Sequence, residues 1–170
     1  MVESENSGMD DISRLFASGD EKVFEDVVNQ YSRKVYALCY RILRNEEEAK
    51  DMAQEVFVRV YRKRKSFHGR SSLYTWIYRI AVNMCLSHLK KMKVQTVPLD
   101  SVAGVLAARS DSDDPNVRYL EDIVSRAASE LPARQRAVFA MRFYDKMSFK
   151  EIAQAMGIST GAARASYHFA

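Results

Sequence analysis

The sequence predicts an all-α protein: two small helical domains joined by a flexible linker, the second ending in a helix-turn-helix. Three observations predict it. Apolar residues recur at three- and four-residue spacing through most of the chain. Of 170 residues 47% are apolar, and only six are Gly and three are Pro, which suits a helical globular chain. The helical pattern fails over one long internal stretch, residues 93–115, which holds Pro98, Gly104 and the run Asp111-Ser112-Asp113-Asp114.

Charge excludes several classes. The formal net charge is only +4, yet residues 1–30 carry eight acids against two bases, while residues 59–93 carry ten bases and no acid. Such asymmetry points to a polyanionic partner for the middle of the chain. The N-terminus is acidic and has no apolar core of a signal peptide. No apolar run approaches the roughly 18 residues of a membrane span, so no membrane contact of its own is expected. Cys39 and Cys85 lie on apolar helical faces and read as reduced, buried thiols of a cytoplasmic protein. No Cys/His cluster has metal-ligand spacing, and His68 and His88 have no ligand partners nearby, so no metal or cofactor is expected.

Taken in order, residues 1–8 read as a disordered tail and 9–92 as the first domain. A short helix at 9–18 offers Ile12, Leu15 and Phe16, and Ser18-Gly19 ends it. Asp20 is placed to cap the next helix, whose stripe of Val23, Phe24, Val27, Val28, Tyr31, Val35, Leu38 and Ile42 is core. Asn45, with Glu48 three residues on, has the pattern of a capping box. The third helix buries Ala49, Met52, Ala53, Val56, Phe57 and Val60. Its opposite side carries Asp51, Gln54, Glu55, Arg59 and Arg62, which by spacing alone is a solvated face.

The basic stretch follows, and aromatic residues interleave its charge: Tyr61, Phe67, Tyr74, Trp76 and Tyr78. Cations that track a backbone and rings that stack on bases suit single-stranded nucleic acid. A basic solvated helix over an ordinary aromatic core has the same composition, and both readings stand at this point. Ser66 to Ser71 is a loop in which Phe67 has no helical partner and is expected to be exposed. Ser71 or Ser72 caps the fourth helix. Its stripe of Leu73, Trp76, Ile77, Ile80, Met84 and Leu89 is core, and Tyr74, Tyr78, Arg79, Asn83 and Ser87 are expected to face outward.

Asp114-Pro115 opens the second domain, residues 116–170. Val117, Leu120, Val124, Ala127 and Leu131 mark one buried side, and Ala137, Val138, Met141 and Phe143 another. Ser148 and Glu151 form a second capping box. A short helix with small Ala153, a Gly157 turn, the apolar plug Ile158 and a second cap at Ser159 or Thr160 make a helix-turn-helix. Its second helix presents Thr160, Ala162, Arg164, Tyr167 and His168 as candidate DNA readers.

Three segments resemble one family. Asp51 to Arg62 (DMAQEVFVRVYR) is similar to a D-x-x-Q-E-x-F segment, and Ser71 to Asn83 (SSLYTWIYRIAVN) to S-x-x-x-W-L-x-x-I-A-x-N. Leu131 to Ser159 is similar to L-P-x-x-x-R-x-V followed by S-x-x-E-I-A-x-x-L-G-I-S. These are the motifs of bacterial sigma factors of the two-domain, extracytoplasmic-function (ECF) group, in order and at the right spacing. The resemblance covers residues 10–92 and 116–170. It implies a non-catalytic subunit that binds core RNA polymerase, recognises the -10 and -35 promoter elements and promotes DNA melting for a stress or envelope-response regulon. It also implies an anti-sigma factor as partner.

Roles follow residue by residue from that resemblance. Asp51, Gln54, Glu55 and Arg59 would dock on polymerase. Lys63, Lys65, Phe67, Arg70, Arg79 and Asn83 would bind the melted -10 element. Thr160, Ala162, Arg164, Tyr167 and His168 would read the -35 element. Two departures stand out. Small residues fill Gly161 to Ser166, so Arg164 carries the charge of the recognition helix almost alone. The family's last helix continues into a basic segment beyond the position of Ala170, so the chain reads either as truncated or as one that natively ends short, and weakened -35 binding is expected. A stand-alone helix-turn-helix regulator is the competing reading. An enzyme is disfavoured because the acids lie in first helical turns, the docking face and the linker, with none in the basic stretch.

Overall fold

The computed structural model describes residues 15–95 and 115–170, and its described residues are helices and connections without strands. The expected 1–8 tail and almost all of the expected linker lie outside them. A helical turn, α1, has described residues 15–18. It is followed by α2 (Glu21–Leu43), α3 (Glu46–Lys63), a 3-10 turn (Arg64–Ser66) and α4 (Leu73–Gln95). The second half holds α5 (Pro115–Ser129), α6 (Ala133–Phe143), α7 (Phe149–Met156) and α8 (Thr160–His168).

Local chemistry sets most boundaries. The Asp20 carboxylate accepts from the Val23 N–H at 3.1 Å and starts α2. Asn45 does the same for α3 through the Glu48 N–H, also at 3.1 Å. The second half of the expected capping box is not made there. Glu48 turns away to pair with His88 Nε2 of α4 at 3.1 Å. Ser148 and Glu151 form a complete box: the Glu151 N–H donates to Ser148 Oγ, and the Ser148 N–H donates to the carboxylate at 2.8 Å.

The first-half core lies where α2, α3 and α4 meet. Val35, Leu38, Cys39, Ile42, Val56, Val60, Ile77, Val82 and Cys85 are fully buried there. Both cysteines are free thiols, and the contact with Cys39, together with burial, pushes the Cys85 thiol up. Phe16 of α1 is buried against Phe24, Phe67 and Trp76. In the second half Ala137, Val138, Met141, Ile152 and Ala155 are core, while Ala127 and the large Tyr119 and Ile123 of α5 are exposed.

The two halves pack on each other, α2 against α6 and α4 against α7. This corrects the expected outward stripe of α4. Tyr78 is completely buried and Tyr74 half-buried. Burial raises both phenol pKa values well above the ordinary 10.

Candidate nucleic-acid interface

The basic loop is held at both ends. After α3, Ser66 Oγ donates to the Lys63 carbonyl at 2.7 Å, and the Phe67 N–H donates to the Arg64 carbonyl at 3.0 Å. Arg64 folds back, donating to the Tyr61 carbonyl at 2.7 Å with its guanidinium 4.0 Å from the Tyr61 ring centre. At the far end Ser72 Oγ accepts from the Thr75 N–H at 3.1 Å and starts α4. Gly69, at φ 67°, takes a left-handed turn that few side chains tolerate. His68, Gly69 and Arg70 are thereby presented to solvent.

Phe67 is not exposed, which corrects the sequence expectation. Only 5% of it is accessible, and its ring lies 5.4 Å from that of Trp76 and 6.1 Å from that of Phe16. In this structure the ring supports the loop from beneath and offers no face to a base.

Arg79, Asn83 and Ser87 recur every four residues on the exposed side of α4. Across from them stand Glu55, Arg59 and Lys63 of α3. Together with Ser66, Trp76, His88 and Lys91 they line one cleft of about 530 Å³. Four cations (Arg59, Lys63, Arg79 and Lys91) and one carboxylate (Glu55) line it, and His88 at its edge pairs with Glu48. The cleft thus joins residues assigned to two different tasks, polymerase docking and -10 binding. Lys65 and Arg70 are exposed on the loop outside it.

Asp51, Gln54, Glu55 and Arg59, expected to dock on polymerase, are all exposed. With Val58, Arg62 and Met84 they line an adjoining hollow of about 570 Å³. Behind it, between α2 and α3, runs an apolar groove of about 740 Å³, which includes Phe24, Val28, Phe57, Val58 and Tyr61 and is edged by Glu21, Lys50 and Arg62. Sequence reasoning missed this groove because Phe24, Val28 and Phe57 were counted as closed core. Val58, 51% exposed, and Tyr61 at the next helical turn were the available signal.

The helix-turn-helix has the expected geometry. Gly157 ends α7 at φ 65°, with its N–H on the Ala153 carbonyl. Ser159, not Thr160, caps α8 through the Ala162 N–H at 3.1 Å. Ala153 and Ala163 are both buried, so small side chains sit between neighbouring helices. Thr160, Ala162, Arg164 and His168 are exposed. Tyr167 is the exception: its ring stacks on Phe139 at 5.9 Å and meets Phe149 edge-on at 5.8 Å, so it anchors the helix. Arg142, which the sequence reading passed over, lies over the other neighbour, with its guanidinium 4.9 Å from the Phe149 ring.

Residues 27–94 match the family model for Sigma-70 region 2, and residues 121–170 match that for Sigma-70, region 4. The chain is 32% identical to the ECF RNA polymerase sigma factor SigW of Bacillus subtilis (strain 168), over 88% of this chain and 86% of that protein. The chain belongs to the ECF sigma factors. The ECF RNA polymerase sigma-E factor of Escherichia coli (strain K12) is 32% identical, and the RNA polymerase sigma-H factor of Pseudomonas aeruginosa is 31% identical. Each match covers 86% of this chain and 81% of the relative. Two solved structures share the fold of this sigma factor. One is CnrH in complex with the cytosolic domain of CnrY, at TM-score 0.67, 18% identity and coverage of 93% of this chain and 88% of that one. The other is the sigma factor RpoE with the anti-sigma factor NepR from Bartonella quintana, at TM-score 0.70, 19% identity and coverage of 87% and 91%.

Proposed function

We propose that this sigma factor acts as a non-catalytic, cytoplasmic subunit that binds core RNA polymerase through α3 and guides one melted strand along the cleft between α3 and α4. The carrying observation is the convergence of Arg59, Lys63, Arg79, Asn83 and Lys91 in that cleft. Asp51, Gln54, Glu55 and Arg59 meet polymerase. Lys63, Lys65, Arg70 and Arg79 neutralise the phosphates of the -10 strand, and Asn83 offers a donor and an acceptor to a base edge. Phe67 holds the loop in place. Thr160, Ala162, Arg164 and His168 face the -35 duplex, with Tyr167 anchoring them, and the N-terminus of α8 favours a phosphate. Unstacking costs a few kcal/mol per step, and contacts along the cleft offset it.

Its partners are core polymerase, promoter DNA and an anti-sigma factor. The fold relatives carry CnrY and NepR in their complexes. The apolar groove between α2 and α3 and the exposed Tyr119 and Ile123 of α5 suit the apolar face of such a partner's helix. The regulon is a stress or envelope response.

The test is binding to core polymerase beside a Glu55→Lys variant. Wild-type binding that the variant loses supports the assignment. Failure of both, with tight duplex binding by the chain alone, would establish a stand-alone regulator instead.

A further inference from the structure

Three guanidinium groups line one hollow of about 40 Å³ between α2, α5 and α6. Arg41 and Arg44 stand at the end of α2, and Arg136 belongs to α6, with Ser125 and Ser129 on the α5 side. None of the described residues that line it is acidic. Carbonyls at helix ends take some of the N–H groups. Arg44 donates Nη1 to the Ser129 carbonyl at 3.0 Å. Arg136 donates Nη1 to the same oxygen at 3.0 Å and Nη2 to the Ile42 carbonyl at 2.8 Å. A carbonyl at a helix end carries only part of a negative charge, so three full positive charges stay unbalanced.

Asp145 supplies little of the balance. Its Oδ1 lies 4.0 Å from Arg41, its Oδ2 is buried without a partner, and burial raises its pKa. Arg41 lies against a ring instead, 3.9 Å from the centre of Tyr144. Arg136 shows the same deficit. Burial, and then the charge of Arg44, lower its pKa, with Glu130 opposing, and its Nε is buried with no partner. A buried donor left unpaired beside like charges calls for an anion.

We propose that the hollow formed by Arg41, Arg44 and Arg136 is a binding site for a small tetrahedral oxyanion of the phosphate class.

Size and geometry select that class. One water needs about 10–15 Å³ of such a hollow, so this one has room for about three, the scale of the oxygens of one phosphate. A larger ligand enters only by a terminal phosphoryl group. Each guanidinium presents its donors as a planar fork that fits two oxygens at once. A carboxylate has two oxygens and fills one fork. A tetrahedral oxyanion has four and accepts from three sides. Chloride offers no oxygen pair to any fork. The site goes beyond promoter reading, because its three arginines are none of those assigned to polymerase or to DNA.

Titration calorimetry of the free full chain tests this, with inorganic phosphate as the probe and sodium chloride holding the ionic strength constant. Saturable binding of one phosphate per chain is expected, with a thermal midpoint that climbs with phosphate concentration. Arg44→Gln removes a charge at an exposed position and keeps a donor. It should weaken phosphate binding about tenfold, the loss of one charge-assisted hydrogen bond. Arg134→Gln, an exposed cation of α6 outside the hollow, should leave binding within about twofold. ADP is titrated in parallel. Binding of phosphate alone identifies the free ion as occupant, binding of ADP identifies a terminal phosphoryl group, and either upholds the site. No saturable binding of phosphate or ADP, equal binding of acetate, or equal weakening by Arg134→Gln would overturn it. If Arg44→Gln fails to fold, Arg41→Gln carries the same comparison, since Arg41 is held by the Tyr144 ring and Asp145.

Discussion

The ring of Phe67 lies 5.4 Å from that of Trp76, buried beneath the loop that it was expected to decorate. Its burial assigns the loop's shape to an aromatic cluster and the loop's contacts to His68 and Arg70. Phe67→Ala should cost about 3–4 kcal/mol of stability, through lost transfer energy and the cavity left behind. Phe67→Leu should cost about 1–2 kcal/mol and leave promoter opening near wild type. Thermal melts beside a strand-opening assay check both. A Leu variant that folds well yet fails to open DNA would mean that the ring reaches a base after all.

Arg79 and Arg70 carry charge at separate places, one in the cleft and one at the loop tip. Arg79→Gln or Arg70→Gln should weaken binding of a single-stranded -10 oligonucleotide by polymerase holoenzyme. Each should flatten the log–log salt dependence by about 0.7–0.9 units. Glu at either position should reduce promoter opening more than core binding. Equal loss of both would tie these residues to polymerase docking.

Much of this was legible in the sequence because it is local. Asp20, Asn45, Ser148 and Ser159 each cap the helix that follows, using a side chain three residues from its partner. Periodicity likewise located every buried residue of α3. The misreadings are long-range. Phe67 meets Phe16, Glu48 meets His88 forty residues on, and Tyr78 is covered because the second half docks on α4. Spacing tells which side chains share a face. It carries no information on what a distant segment lays over that face, and two halves treated as independent units leave Tyr74 and Tyr78 seemingly bare.

Asp145, beside Arg41 of the other half, should make the packing of the two halves sensitive to pH. Burial raises its pKa above the ordinary 3.8, although Arg41 and Lys34 of α2 and the Tyr78 hydroxyl oppose the rise; Tyr74 of α4 lies nearby. A carboxyl that holds its proton more tightly when the halves are together favours closure as pH falls. The gain begins as pH drops into the raised range and is complete below the ordinary value, and it is lost as pH rises through the raised pKa. Scattering as pH falls from neutral toward the ordinary 3.8 should show progressive compaction of Arg44→Gly, which lacks the bond to the Ser129 carbonyl. Asp145→Asn should compact that variant at neutral pH and abolish its response. A response that survives Asp145→Asn would point to another group.

Gly19 couples α1 to the turn that leads into the basic loop. It sits at φ 93°, and a Cβ there would lie 2.8 Å from the Arg64 guanidinium, the same group that stacks on Tyr61 and bonds its carbonyl. Gly69 is also left-handed, but a Cβ there meets nothing within 4 Å. Gly69→Ala should therefore cost only the backbone term, about 1 kcal/mol. Gly19→Ala should cost more, about 2 kcal/mol or above, since Arg64 must also leave its place. The two contributions separate in a double-mutant cycle. With Arg64→Ala present the clash is gone, and Gly19→Ala should then fall to its own backbone cost at φ 93°, a coupling of about 1 kcal/mol. Urea melts of the four chains measure it. Strict additivity would mean that Arg64 moves aside freely and that α1 exerts no hold on the turn leading into the loop.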